Sequence, residues 1–95
     1  MSDKIEVENV NTPGRTERVN AAKYAAMRDA TITVLSNASP MTAAAIKDAA
    51  KTHLPEDLFP RGATAGWWQK TVQLDLEAKG LIQRHATKPL TFSLA

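Results

Sequence analysis

The sequence contains no cysteine. A disulfide framework, a zinc site with thiolate ligands and a cysteine nucleophile are therefore all excluded. The chain also has no apolar run of about 18 residues, the length a membrane helix needs, and no signal-peptide pattern. We accordingly expect a cytoplasmic protein that does not engage a membrane.

Large apolar side chains are scarce. Hydrophobic residues make up 43 % of the 95 residues, but 16 of these residues are alanine, and aromatic residues account for only 5 % of the chain. A chain of this length forms one domain, and a core with many alanines is best built from closely packed helices. No internal repeat or low-complexity tract divides the sequence. We therefore expect a single domain that is mainly α-helical.

An excess of charge is also missing from most of the chain, since the net charge is only +2. Residues 1–19 sum to −1 and residues 20–60 to zero, whereas residues 61–95 hold five basic and two acidic side chains and sum to +3. A basic C-terminal segment is compatible with a polyanionic partner, and equally with an ordinary solvated surface.

Residues 1–18 read as a polar arm packed on a domain that spans residues 19–95. The alternating stretch Ile5–Glu8 favours a short strand, provided that another segment supplies its partner. The sequence Asn-Thr-Pro-Gly at 11–14 is typical of a tight turn.

The first helix is expected to begin at Asn20, whose side chain can cap the first turn, with Val19 and Tyr24 forming a hydrophobic staple. The stop signal is the run from Ser36 to Pro40. Between them, residues at three- and four-residue spacing form one stripe that we expect to be buried: Tyr24, Met27, Ala30, Thr31, Val34 and Leu35.

A second helix is predicted from Thr42, its N-cap, to His53, with Ile46 as its one large core residue. The connection at 54–62 is bracketed by two prolines. Leu58 and Phe59 are its expected anchors in the core.

A third helix is predicted from Thr64, again as N-cap, to Gly80, a left-handed stop. On a helical wheel, Asp75 falls within the apolar arc, so we expect it to be buried in a network with a cation or amide partner. Two strands, 81–85 and 90–94, then form a C-terminal hairpin around residues 86–89. The polar face of the helix holds Gln69, Lys70, Gln73 and Glu77.

The order of three helices and a hairpin, with Leu76-Glu77-Ala78-Lys79-Gly80-Leu81-Ile82 at the junction, resembles the winged helix-turn-helix superfamily over residues 19–95. The resemblance implies three helices plus a C-terminal wing, preceded here by an N-terminal arm. At finer grain, the runs NTPGR, VNAAKYAAM and LPEDLFPRGATAGWWQKTVQLDLEAKGLI look like a family of small bacterial proteins with no assigned function.

The winged-helix resemblance implies double-stranded DNA as a partner, with the third helix in the major groove and the wing on the adjacent backbone. Glutamine amides can contact adenine, and basic side chains or helix N-terminal amides can hold phosphates. The positions that the resemblance places on this surface are Arg61, Thr64, Gln69, Lys70, Gln73, Arg84, His85 and Lys88. The third helix has no arginine and begins with two bulky tryptophans, both of which weigh against this hypothesis.

The alternative hypothesis is a module that binds protein rather than DNA. Trp67 and Leu74 lie within 20° on the wheel and would form an apolar patch for a second copy of the chain or another protein. An enzyme is not expected, because no combination of residues supplies a nucleophile, a base and an orienting group. His53 and His85 are too far apart in sequence to suggest a metal site, so we expect neither metal nor cofactor.

Overall fold

The computed structural model describes residues 3–95. Strands β1 (Lys4–Glu8) and β2 (Thr16–Asn20) precede helix α1 (Ala21–Asn37), and strand β3 (Met41–Thr42) precedes helix α2 (Ala43–Lys51). A 3-10 turn (Pro60–Gly62) leads to helix α3 (Ala65–Ala78), strand β4 (Ile82–His85) and strand β5 (Thr91–Leu94). Over these residues the protein is a small α/β fold with three α-helices and two antiparallel sheets, β1-β2 and β3-β5-β4. The expectation of a mainly helical domain with one hairpin understated its β content.

The N-terminal arm is a β-hairpin. Ile5 pairs with Val19 and Val7 with Glu17, so the predicted strand at 5–8 is confirmed and its partner is β2. Sequence analysis missed β2 because its five residues, with charged Glu17 and Arg18, lack an apolar alternation. Each strand contributes one side chain to the core, Val7 from β1 and Val19 from β2.

Helix α1 begins as expected. The Asn20 side chain accepts a hydrogen bond from the Lys23 amide at 3.0 Å, and Val19 and Tyr24 are both buried beside this cap. The helix ends at Asn37, within the predicted stop signal. The predicted stripe is confirmed, since the buried residues of α1 are Tyr24, Met27, Ala30, Thr31, Val34 and Leu35.

Helix α2 is capped by Thr42, which accepts from the Ala45 amide at 3.2 Å, and it ends at Lys51 rather than at the predicted His53. Directly before it, β3 adds a third strand to the C-terminal hairpin, with Met41 opposite Phe92. Two residues are too few to produce a readable strand pattern, so the sequence did not predict β3.

The predicted side-chain cap at the start of α3 does not form, whereas the predicted stop at its end does. Thr64 precedes the helix in a left-handed conformation (φ 61°) and makes no side-chain cap, because its hydroxyl donates to the Ala63 carbonyl instead. At the other end, Gly80 has φ 76°, and the Leu81 amide donates to the Leu76 carbonyl at 2.9 Å. This hydrogen bond closes a Schellman motif, so the predicted glycine stop is confirmed.

The core lies where α1, α2 and α3 meet the two sheets. Its largest fully buried apolar side chains are Phe59, Met27, Ile46, Leu76 and Val72. Phe59 therefore anchors the connection as predicted, and Leu58 packs partly against the same core. Among residues 3–95, no helix combines the length and the apolar character needed to cross a bilayer.

Candidate functional site

Three polar side chains one turn apart on α3 form a hydrogen-bonded row. Gln69 Nε2 donates to Gln73 Oε1 at 2.8 Å, and Gln73 Nε2 donates to Glu77 Oε2 at 3.3 Å. The guanidinium of Arg84, on β4, closes the row with hydrogen bonds of 2.8 and 3.1 Å to the Glu77 carboxylate. The hydrogen bond to Glu77 raises the pKa of Arg84, because the carboxylate favours the charged guanidinium.

This row is covered to a degree that the helical wheel did not predict. Gln69 is 4 % exposed and Gln73 is 6 % exposed, whereas Lys70 beside them is exposed. The expectation of an open polar face on α3 was therefore wrong at the two glutamines. The two glutamines lie at the base of a groove that the C-terminal hairpin and Asn11 of the N-terminal hairpin also line, and their side chains hydrogen-bond along the helix rather than extending into solvent.

A groove of about 570 Å³ lies over the row, between the start of α2, the side of α3 and the C-terminal hairpin. Its volume falls within the range of about 300–1,000 Å³ that is typical of ligand pockets. Small residues of α2 and Gly66 of α3 leave the space open, and Leu90, 42 % exposed, stands at its edge. The apolar residues that line it are Ala43, Ala44, Leu74, Leu90 and Phe92.

The charges that line this groove are all of one sign. They belong to Lys47, Lys70 and Arg84, and within the described part of the chain no carboxylate lines the groove. Arg84 is neutralised by Glu77, but neither Lys47 nor Lys70 forms an ion pair with any residue between 3 and 95. The groove therefore combines apolar walls with two cationic side chains that lack a counter-charge.

A second polar cluster fixes the N-terminal hairpin against α1 and α3. The fully buried carboxylate of Asp75 accepts hydrogen bonds from the Glu8 amide (2.8 Å), the Lys79 ammonium (2.5 Å) and the Tyr24 hydroxyl. Burial, and then the hydrogen bond to Asp75, raise the pKa of Tyr24. The expected network around Asp75 is thus confirmed. It holds the hairpin in the position from which its tip borders the groove.

The predicted Trp67–Leu74 patch does not form. Trp67 is 53 % exposed and packs edge-on against Trp68, with ring centroids 4.9 Å apart. Leu74, two turns along α3, is only 9 % exposed because residues of the N-terminal hairpin border it. Trp67 and Leu74 lie on the same side of α3, as the helical wheel indicated, but the N-terminal hairpin covers Leu74 and leaves Trp67 in solvent. Trp68 is buried and packs edge-on against Phe59.

The remaining predicted site residues are spread over the surface and do not meet in the groove. Arg61 is exposed, and its backbone amide donates to the Glu56 carboxylate at 3.1 and 3.2 Å. Thr64 is exposed beside it. His85 Nε2 lies 2.7 Å from Ser93 Oγ on the neighbouring strand, and Lys88 is exposed in the turn between β4 and β5. No group of three potential metal ligands occurs within residues 3–95.

The sequence pattern did not indicate that Lys47, Leu90 and Phe92 line the same groove. Lys47 falls within the predicted second helix, and Leu90 and Phe92 fall within the predicted strand at 90–94. The sequence nevertheless contains one signal, because the alanines at the start of α2 and Gly66 on α3 all remove side-chain volume. In the fold these positions are close, and a Cβ atom on Gly66 would lie 3.6 Å from Lys47 Cδ. Only the fold shows that these positions face each other.

The fold is that of a small α/β protein, and the groove is lined by apolar and cationic side chains. Residues 4–92 match the family described as "Family of unknown function (DUF6958)", and the chain belongs to that family. Comparison with curated proteins and with solved structures gives no match.

Proposed function

We propose that this chain is a winged-helix module that binds a protein partner through the groove between α2, α3 and the C-terminal hairpin. The order of three helices followed by an antiparallel hairpin supports the winged-helix assignment. The observation that carries the functional proposal is the groove itself, which has apolar walls, while the side chains best suited to reading DNA bases are hydrogen-bonded to each other.

The hydrogen bonds of Gln73 argue against base readout by α3. A bidentate contact to adenine uses both the oxygen and the nitrogen of a glutamine amide. In Gln73, the oxygen accepts from Gln69 and the nitrogen donates to Glu77. One amide hydrogen and one lone pair remain, but the side chain is 6 % exposed and is held in this orientation by both neighbours. Turning it toward a base would leave Gln69 and Glu77 without these partners, at a cost of about 1–3 kcal/mol each. Arg84 would in addition have to leave Glu77.

DNA binding through phosphates is the second candidate, because the basic side chains of residues 61–95 favour it. Lys70 and Lys88 are exposed, and Lys47 lies on the same groove as Lys70. Such contacts would bind duplex DNA without sequence preference and would weaken steeply with salt. The helix order of the winged-helix pattern is equally compatible with this function.

A peptide-display selection tests the protein-binding proposal. Random peptides of about twelve residues, long enough to fill a groove, are selected on the immobilised protein. They are then compared on two matched variants, Leu90→Ser and Leu81→Ser. Leu90 lines the groove, whereas Leu81 is 50 % exposed and does not. We expect the selected peptides to bind the wild type and Leu81→Ser equally, and to bind Leu90→Ser at least about tenfold more weakly.

Failure to enrich peptides, or equal binding to both leucine variants, would contradict the proposal. The DNA candidate is measured in parallel by anisotropy of a labelled mixed-sequence duplex at about 50 and 200 mM salt, where about four phosphate contacts predict a loss of roughly a hundredfold in affinity. Binding with that salt dependence, reduced further in Lys70→Ala and Lys88→Ala, would favour DNA as the ligand.

A further inference from the structure

We infer that the groove selects an acidic peptide segment carrying one apolar anchor residue, rather than any apolar peptide. This inference rests on the proposed function and specifies the chemistry of the partner. Three observations carry it: the sign of the charges at the groove, an unused hydrogen-bond acceptor at its base, and the position of the apolar wall.

The first observation concerns Lys47 and Lys70. Gly66 and Lys70 are one turn apart on the same side of α3, and Lys47 of α2 lies against Gly66. The two ammonium groups therefore belong to adjoining parts of one surface, without a carboxylate in its lining. A ligand with carboxylates at matching positions supplies the missing counter-charge, whereas a basic ligand meets repulsion.

The second observation is the amide of Gln69. Its nitrogen donates to Gln73, and its Oε1 accepts no hydrogen bond from any residue between 3 and 95. This oxygen is not buried, because among those residues Thr31 Oγ1 is the one buried side-chain polar atom without a partner, so Oε1 is open to the groove that Gln69 lines. It can accept a hydrogen bond from an N–H donor of a ligand in place of water. A peptide backbone carries such a donor at every residue except proline, whereas phosphate groups of nucleic acids carry none.

The third observation is the apolar wall formed by Leu90, Phe92 and the alanines at the start of α2. This wall can receive an aliphatic or aromatic side chain, which contributes affinity by leaving water. An apolar anchor flanked by Asp or Glu therefore satisfies the wall, the acceptor and the two lysines together. The chain's own N-terminal hairpin does not supply this segment, because its register and the Asp75 network fix it beside the groove.

The test uses the peptides selected on the wild-type protein. We expect them to be enriched in Asp and Glu next to a single apolar residue. Affinities of the best peptides are then measured on Lys47→Gln and Lys70→Gln. Lys4→Gln is the control, since Lys4 is exposed on β1, does not line the groove, and its substitution changes the net charge equally. Each groove substitution should weaken binding roughly two- to fivefold, the range of an exposed ion pair, and Lys4→Gln should not.

The possible failures are distinguishable. Peptides that require Leu90 but lack acidic residues, or that bind the lysine variants as well as the wild type, would overturn the inference and leave the proposed function standing. A selection without groove-dependent peptides would overturn both. Light scattering provides a separate measurement: a dimer that Leu90→Ser dissociates would show that a second copy of the chain, not an acidic peptide, occupies the groove.

Discussion

The Tyr24 hydroxyl donates a hydrogen bond to Oδ2 of Asp75, and both residues are buried. Tyr24 lies on α1 and Asp75 on α3, while the other carboxylate oxygen accepts from the Glu8 amide on β1. One side chain thus connects three elements, including the hairpin whose tip borders the groove. Stability and the shape of the candidate site therefore depend on the same carboxylate.

Asp75→Asn is expected to lower the free energy of unfolding by about 2–3 kcal/mol, measured by urea denaturation. The substitution keeps the shape of the side chain but removes the ion pair to Lys79 and replaces charge-assisted hydrogen bonds with neutral ones. Amide exchange of β1 and β2 should also accelerate, because the hairpin loses its charged anchor.

Asp29→Asn is the control for this experiment. Asp29 also forms an ion pair, 3.1 Å from Arg28, but its side chain is exposed. An exposed pair contributes little, so the change in stability should be below about 0.5 kcal/mol. Equal effects of the two substitutions would show that burial does not distinguish the two carboxylates.

The stability of the protein should fall above about pH 10 in a manner that depends on Tyr24. Burial and the contact with Asp75 raise the pKa of Tyr24, so above the ordinary tyrosine pKa the unfolded chain loses this proton before the folded protein does. The stabilisation is therefore complete below that pH and is lost as pH rises. The slope attributable to Tyr24 is at most about 1.4 kcal/mol per pH unit, and Tyr24→Phe should remove it.

Tyr24 is the only tyrosine in the sequence, so its ionisation can be followed directly by tyrosinate absorbance. The native protein should ionise at higher pH than the same protein in urea. Coincident titrations in the two states would contradict the raised pKa. Measuring urea stability of the wild type and Tyr24→Phe at the same series of pH values separates this effect from deprotonation of lysines.

Much of the helical framework was predictable because its signals are local. Asn20 and Thr42 act as caps within three residues of the amides they bind, and Gly80 ends α3 through its own backbone conformation. Strand β3 was not predictable in this way. It exists because Met41 pairs with Phe92, fifty-one positions along the chain, and no local pattern records such a partner.

The candidate site was less predictable for the same reason. The helical wheel placed Gln69 and Gln73 on a polar face, and polar residues on a helix are ordinarily solvated. Here each finds its partner one turn along the helix, and the last member of the row, Glu77, finds Arg84 on β4. Polar side chains that hydrogen-bond to each other within the protein have the same sequence pattern as polar side chains that are free to bind a ligand.

Leu74→Ala and Trp67→Ala should lower the free energy of unfolding by different amounts, whereas two residues of one exposed patch would have similar, small effects. Leu74 is nearly buried beside the N-terminal hairpin, so its truncation should destabilise the fold by about 2–3 kcal/mol. Trp67 is half exposed, and its loss should cost less than about 1 kcal/mol. Urea denaturation measures both, and light scattering of Trp67→Ala checks the oligomeric state. A Trp67 variant that dissociated a dimer would restore the tryptophan as an interface residue.

Two glycines of the chain should respond to alanine with opposite signs. Gly80 has φ 76°, and although nothing lies within 4 Å of an added Cβ atom, the left-handed conformation itself should make Gly80→Ala destabilising by about 1 kcal/mol. Gly66 lies in the first turn of α3, where the added Cβ would meet only Lys47 Cδ at 3.6 Å, an ordinary contact. Gly66→Ala should therefore stabilise the protein by about 0.5–1 kcal/mol.

The same Gly66→Ala substitution separates folding from binding. Its methyl group projects into the space between α2 and α3 that forms one wall of the groove. We expect the variant to be more stable in urea but to bind the selected peptides more weakly than the wild type. If the substitution is destabilising instead, α2 and α3 lie too close together at Gly66 to accommodate the added methyl group. Stabilisation with unchanged peptide binding would place the peptide elsewhere, since folding alone gives no reason for a glycine at this position.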